Sequence, residues 1–124
     1  MSVIVVLPAY NAANTLERTI ADLETAAVSD IILVDDASAD ITVETPEPPL
    51  LTVVRHRRNV GYGGNQKTCY REALARGAEY VVMLHPDYQY DARIVPHALG
   101  FLRLGICDVV LGNRIRTRAE TLHG

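Results

Sequence analysis

SVIVVLPAYNAANTLERTI, residues 2–20, decides the fold. Residues 2–8 are apolar almost without a break and do not alternate with polar residues. That is the pattern of a strand covered on both faces. After Tyr10 and Asn11 the period changes. Leu16, Ile20, Leu23 and Ala27 recur at helical spacing and predict one apolar helix face. Asn14 with Glu17 reads as the start of that helix, Asn14 being the cap. A buried strand running into an amphipathic helix is the first half of a β–α–β unit.

Four further runs share the character of the first: DIILVDD (30–36), LLTVVRH (50–56), EYVVMLH (79–85) and CDVVLGN (107–113). All are rich in Val, Ile and Leu. Residues 65–76 predict a second helix, closed by Gly77. A third is expected from near Pro96, a residue suited to a first turn, to Gly105. The connection 37–49 contains TPEPP and is not helical throughout. A short helical turn followed by an extended stretch is expected there. Alternating strands and helices predict an α/β fold, doubly wound, with a mainly parallel sheet and helices on both faces.

Bulk properties bound the function. A length of 124 residues predicts one domain, 1–124. Hydrophobic residues make up 48% and charged residues 22%, which suits a globular domain with a core. Twelve Lys and Arg against 15 Asp and Glu leave a net charge of −3, which argues against a broad nucleic-acid footprint. Basic residues do cluster at 55–58 and 114–118, where they can meet phosphates locally. Cys69 and Cys107 make no disulfide framework and suit a reducing cytosol. The apolar runs are too short to span a bilayer, and the first lacks the basic head and cleavage site of a signal peptide. A cytoplasmic protein without a transmembrane segment is expected.

In doubly wound sheets, ligands bind outside the carboxyl ends of the strands. All five runs end in polar residues: Tyr10 and Asn11, Asp35 and Asp36, Arg55 and His56, His85 and Asp87, Asn113 and Arg114. No single end is specific, and their joint occurrence is what points to a site. Asp35-Asp36 has two readings, turn chemistry or an acceptor for a base imide or ribose hydroxyl. Tyr10 is either a core aromatic or a stacking surface for a nucleobase. NVGYGGNQK (59–67) opens a helix, as phosphate-binding loops do, but it follows the third run rather than the first. Its glycines equally suit close helix–sheet packing. Lys67 either reaches a phosphate or faces water. His85-Pro86-Asp87 is either a bare turn or part of a metal–diphosphate clamp. There Asp87 would supply a carboxylate, and His85 would tilt preference from Mg²⁺ toward Mn²⁺. His56, His97 and His123 read as solvated or structural.

VVLPAYNAANTLERTI (5–20), ILVDDASAD (32–40), RRNVGYGGNQKTCYREALARGAEYVVMLHPDYQYD (57–91) and VVLGNR (109–114), in this order, resemble family 2 glycosyltransferases with the GT-A fold. The likeness is to the bacterial and archaeal branch similar to dolichyl-phosphate mannose synthase, and it covers nearly the whole chain. It implies the nucleotide-binding half of a GT-A fold, without most of the acceptor half. The implied activity is transfer of a sugar from a UDP- or GDP-sugar to an acceptor, a polyprenyl phosphate or a saccharide, with inversion. The alternative is a nucleotide-sugar-binding module without catalysis. A sugar nucleotidyltransferase is the weakest reading, because no Gly-rich loop follows the first run.

The resemblance places Pro8, Ala9 and Tyr10 beside the nucleobase and Asp36 on the base. It places Asn59, Gly61 and Gly63 in the loop near the nucleotide. His85 and Asp87 fall on the two acidic places of the family's DxD motif, with Gln89 and Asp91 following. Gly112, Asn113 and Arg114 match the Gly-Ser-Arg after strand five. Asp87 is expected to bind a divalent ion, Mn²⁺ or Mg²⁺, and Lys67 or Arg114 to assist at the diphosphate. Two departures are His85 at the first acidic place and Ala12 where an acid often follows Tyr-Asn. The general base is not identified, since only Asp108 and Glu120 lie near the last run. A lipid phosphate acceptor needs little such help, because its second pKa of roughly 6 leaves it anionic at neutral pH. A peripheral position at the inner membrane face would follow from such an acceptor. An exposed final strand edge leaves a homodimer open.

Overall fold

The computed structural model describes residues 2–24, 28–39, 51–86 and 91–111. Four parallel strands form one sheet in the order β3-β2-β1-β4. They are β1 (Val3–Ala9), β2 (Asp30–Asp35), β3 (Leu51–Arg55) and β4 (Tyr80–Met83). Helix α1 (Ala13–Glu24) follows β1, α2 (Gly61–Ala75) joins β3 to β4, and a 3₁₀ turn (Ala92–Ile94) leads into α3 (Val95–Arg103).

The unbroken apolar runs become strands because both faces of β1 are covered. Val3, Val5, Leu7 and Ala9 pack with Leu16, Ile20 and Leu23 of α1 and with Val95 and Leu99 of α3. The alternate residues Ile4 and Val6 pack with Ile32, Val34, Cys69 and Ala73, so α2 covers the other face. Each Leu or Ile buried in this way contributes about 1.5–3 kcal/mol. Helices on both faces of a parallel sheet are the expected doubly wound arrangement.

Several boundaries differ from the sequence reading. The Ala12 carbonyl accepts from the N–H groups of Thr15 and Leu16, so Asn14 lies inside α1 and is not its cap. Helix α2 starts at Gly61, four residues before the predicted start at 65. Gly77 and Gly105 do stop α2 and α3, both in the left-handed region at φ 74°. Pro96 sits in the first turn of α3. The fifth run is not a strand over its described part, 107–111, where Val109 and Leu111 are exposed and no sheet partner is present among the described residues. Ala27 and most of the 37–49 connection lie outside the described residues.

Both thiols are free. Cys69 is wholly buried, and burial pushes its pKa up to about 12. Cys107 is half-buried. A thiol reagent at mildly alkaline pH is therefore expected to modify Cys107 in the native protein and Cys69 only with unfolding. Labelling followed by peptide mapping checks this; rapid native labelling of Cys69 would contradict the packing.

Candidate functional site

The chain runs β1, β2, β3 outward on one side, then returns to place β4 on the other side of β1. The reversal makes the carboxyl ends of β1 and β4 the switch point, where a crevice forms. Pro8 helps to open it. The Val6 carbonyl accepts from the Leu84 N–H, so Val6 and, two residues on, Pro8 face β4. Pro8 has no N–H to offer there. The β1–β4 pairing ends at Val6 with Met83, whereas β1 and β2 stay paired to Ala9 and Asp35.

Asp36 organises the β2 side of this rim. It is 2% exposed. Its Oδ1 accepts from the Val60 N–H at 2.9 Å and meets His56 Nδ1 at 2.8 Å; its Oδ2 accepts from the Gly61 N–H at 3.0 Å. Burial pushes its pKa up, but the Val60 N–H, the His56 hydrogen bond, the Gly61 N–H and the His56 charge outweigh that together, and the net shift is downward. His56 continues through Nε2 to Thr68 Oγ1 at 2.9 Å. The first N–H groups of α2 are thus met by a carboxylate from another strand, favourable also for the helix dipole. This explains why α2 starts early.

Asp35 is equally buried and holds the next turn, accepting from the Ser38 N–H and the Ser38 hydroxyl. That turn carries Ala37 in the left-handed region at φ 57°, a conformation costing roughly 1–2 kcal/mol for a residue with a Cβ. Asn11, at φ 52°, closes the β1 end: its N–H donates to Ser38 Oγ and its side-chain oxygen accepts from the Ala39 N–H. Tyr10 is held between these links and is 55% exposed. Of its two sequence readings, the core aromatic is excluded.

Asn65, in the second turn of α2, is 3% exposed. Its Nδ2 donates to the Ala9 carbonyl at 3.3 Å and to the Val34 carbonyl at 3.2 Å, pinning the helix across the ends of β1 and β2. Asn59 Nδ2 donates to the Asp36 carbonyl, and Asn59 Oδ1 accepts from the Gly61 N–H. Gly61 lies at φ 84°, which requires glycine, and a Cβ on Gly63 would meet open space. Lys67 is exposed one turn further on.

The β4 side is tied down from both flanking helices. Thr15 Oγ1 of α1 donates to the Pro86 carbonyl. Tyr62, in the first turn of α2, places its hydroxyl 2.9 Å from His85 Nε2, and the two rings stack with centroids 5.2 Å apart at 20°. Asp91 caps the 3₁₀ turn by accepting from the Arg93 N–H and also pairs with the Arg93 guanidinium.

The structure therefore gathers Pro8, Ala9, Tyr10, Asp36, Asn59, Gly61, Gly63 and His85 along one rim. Asp87, Gln89, Asn113 and Arg114 lie outside the described residues. Among the described residues no group of three or more His, Cys, Asp or Glu could hold a metal ion. His56, expected to be solvated or structural, is a partly buried structural partner of Asp36. Asn65, Thr15 and Tyr62 escaped the sequence reading of the site. Asn65 had a signal: with Cys69 and Ala73 it forms a four-residue spacing on the one buried face of α2.

A parallel sheet covered by helices on both faces, with polar residues gathered at its switch point, defines a doubly wound α/β domain. The chain belongs to glycosyl transferase family 2, whose family model matches residues 4–124. It is 31% identical over 120 residues to an undecaprenyl-phosphate mannosyltransferase of Micrococcus luteus, covering 92% of this chain and 49% of that protein. It is 23% identical to a UDP-N-acetylglucosamine–dolichyl-phosphate N-acetylglucosaminyltransferase of Methanococcus voltae, covering 93% of this chain and 53% of the relative. The chain thus spans about half the length of these curated relatives. Among solved structures, S. aureus TarS in complex with UDP-GlcNAc superposes with a TM-score of 0.68 at 23% identity, covering 84% of this chain and 32% of TarS. That likeness shows a shared fold. No helix among the described residues is long and apolar enough to cross a membrane.

Proposed function

We propose that the β1–β4 crevice binds a nucleoside diphosphate sugar, and that the chain is the donor-binding part of a glycosyltransferase whose acceptor is a polyprenyl phosphate. The observation that carries this reading is the parting of β1 from β4 after Val6, with Tyr10, the Gly61–Gly63 turn and the 85–86 loop around the opening. Family membership and the relatives that act on prenyl phosphates support it.

In this reading the exposed Tyr10 ring stacks on the base. A carboxylate offers about four lone-pair sites. Three on Asp36 are taken by its own chain, which leaves capacity for one further donor such as a base imide N–H. The main role of Asp36 is then to hold the α2 turn against the nucleotide. Lys67 and Arg114 would neutralise the diphosphate, with Gln89 toward the sugar. Any divalent ion at this mouth would rest on Asp87 and on donor phosphate oxygens, an arrangement Mg²⁺ commonly adopts.

The transfer balances simply. An acceptor phosphate oxygen forms a bond to the anomeric carbon from the side opposite the leaving group. The bond from that carbon to the donor β-phosphate oxygen breaks, and its electron pair leaves with the nucleoside diphosphate. Configuration inverts. No general base is needed, because the acceptor already carries negative charge.

Calorimetric titration with UDP, GDP and dTDP, with and without Mn²⁺, tests the reading. Binding of at least one nucleotide is expected, strengthened by the ion. Absence of binding by all three would overturn it. Sugar transfer to a short polyprenyl phosphate then separates a catalytic domain from a donor-binding module.

A further inference from the structure

The arginines at 55–58 take no part in the donor site proposed above. His56 meets Thr68 of α2 at 2.9 Å, so the segment carrying Arg55, Arg57 and Arg58 lies against the side of that helix. All three arginines are exposed. Helix α2 buries Asn65, Cys69 and Ala73 and turns Lys67, Tyr70, Arg71 and Leu74 outward, at the three- and four-residue spacing of one helix stripe. Tyr70 is 46% and Leu74 67% exposed. Among the described residues none of these five cations has an ion pair. The acid of α2, Glu72, is paired with Arg76 instead.

The other side of the sheet differs in sign. Helix α1 packs there and carries Glu17, Asp22 and Glu24 against Arg18. A chain of net charge −3 therefore has one positive, partly apolar side. Such a side complements an anionic bilayer, because Lys and Arg near the surface attract anionic lipid and Tyr sits well at headgroup level. We propose that the outer face of α2, together with Arg55, Arg57 and Arg58, docks this chain on a bilayer of anionic phospholipid. The choice of a bilayer rests on the polyprenyl phosphate acceptor proposed above, a lipid that resides in membranes. Helix α2 starts at the crevice rim, where the Gly61 N–H meets Asp36. Docking along α2 sets the mouth of the crevice beside the headgroups and keeps the acidic α1 away from them.

Co-sedimentation of the 124-residue chain with vesicles tests this. Phosphatidylcholine vesicles with and without phosphatidylglycerol are compared, none of them containing polyprenyl phosphate. Binding is expected to the anionic vesicles alone, and it should weaken as salt is raised. Arg57→Ser/Arg58→Ser/Arg71→Ser should weaken it about a hundredfold, at roughly fivefold per cation. Tyr70→Ser/Leu74→Ser should weaken it about tenfold and leave the salt dependence unchanged. All five substituted side chains are exposed, so titration of both variants with UDP should give the native affinity.

No binding to the anionic vesicles, equal binding to the neutral ones, or native binding by the arginine variant would overturn the proposal. A single-stranded oligonucleotide bound more tightly than the anionic vesicles would overturn it in favour of a nucleic-acid partner. Loss of UDP binding in the arginine variant would overturn it by assigning those arginines to the donor. Docking of a native chain that binds no nucleotide would instead remove the donor-site reading and leave the docking face in place.

Discussion

Asp36→Ala is expected to cost about 3–5 kcal/mol, a large share of the stability of an ordinary domain. The carboxylate is 2% exposed and serves three groups on other elements: the Val60 N–H, the Gly61 N–H and His56. Alanine leaves the Val60 N–H and His56 Nδ1 without this partner, and the Gly61 N–H keeps only Asn59 Oδ1. Asn at this position keeps the shape but loses the charge and half the acceptor capacity, so a smaller loss is expected. Urea denaturation of the three proteins checks the order.

The pH dependence has a definite sign. The folded pKa of Asp36 lies below its ordinary value of 3.8. The native state therefore binds the proton less readily than the unfolded chain does. The stabilisation is present in full above the unfolded value and is lost as pH falls through the folded one. The gap between the native protein and Asp36→Asn should thus narrow as pH falls below about 4. A gap that widened on acidification would contradict the assignment.

Asn65→Asp is expected to be as damaging, about 3–5 kcal/mol at neutral pH, despite its identical size. The Asn65 amide donates to two main-chain carbonyls, Ala9 and Val34, in a buried place. Aspartate turns the donor into an acceptor and sets a buried negative charge against two carbonyl oxygens. Asn65→Ala only removes the donor. The Ala9 carbonyl keeps the Asp36 N–H, so about 1–3 kcal/mol is expected there. If Asp were tolerated better than Ala, the amide would not be the link between α2 and the strand ends.

These two residues also show where sequence reading stops. The buried strands were legible because unbroken Val, Ile and Leu runs need cover on both faces, and α1 and α2 to α3 followed from helical spacing and from Gly77, Pro96 and Gly105. The start of α2 was not legible. Its cap is Asp36, 24 and 25 residues before the N–H groups it meets, and no local pattern reports a cap from another strand. The same holds for His56, whose partners come from β2's end and from α2. Tyr62 and His85 lie 23 residues apart and meet only once β4 is laid beside β1. The fifth run misled for the opposite reason. Val109, Val110 and Leu111 have strand composition, but composition does not supply a neighbouring strand.

The most direct measurement is amide chemical-shift mapping of the labelled protein titrated with UDP or GDP. Shifts are expected to concentrate at Tyr10, Asn11, Gly61 to Gly63 and His85, around the carboxyl ends of β1 and β4. Ser2, Gly77 and Glu79, at the opposite end of the sheet, should not move. Shifts confined to that opposite end, or none with either nucleotide, would contradict a donor site at the β1–β4 crevice.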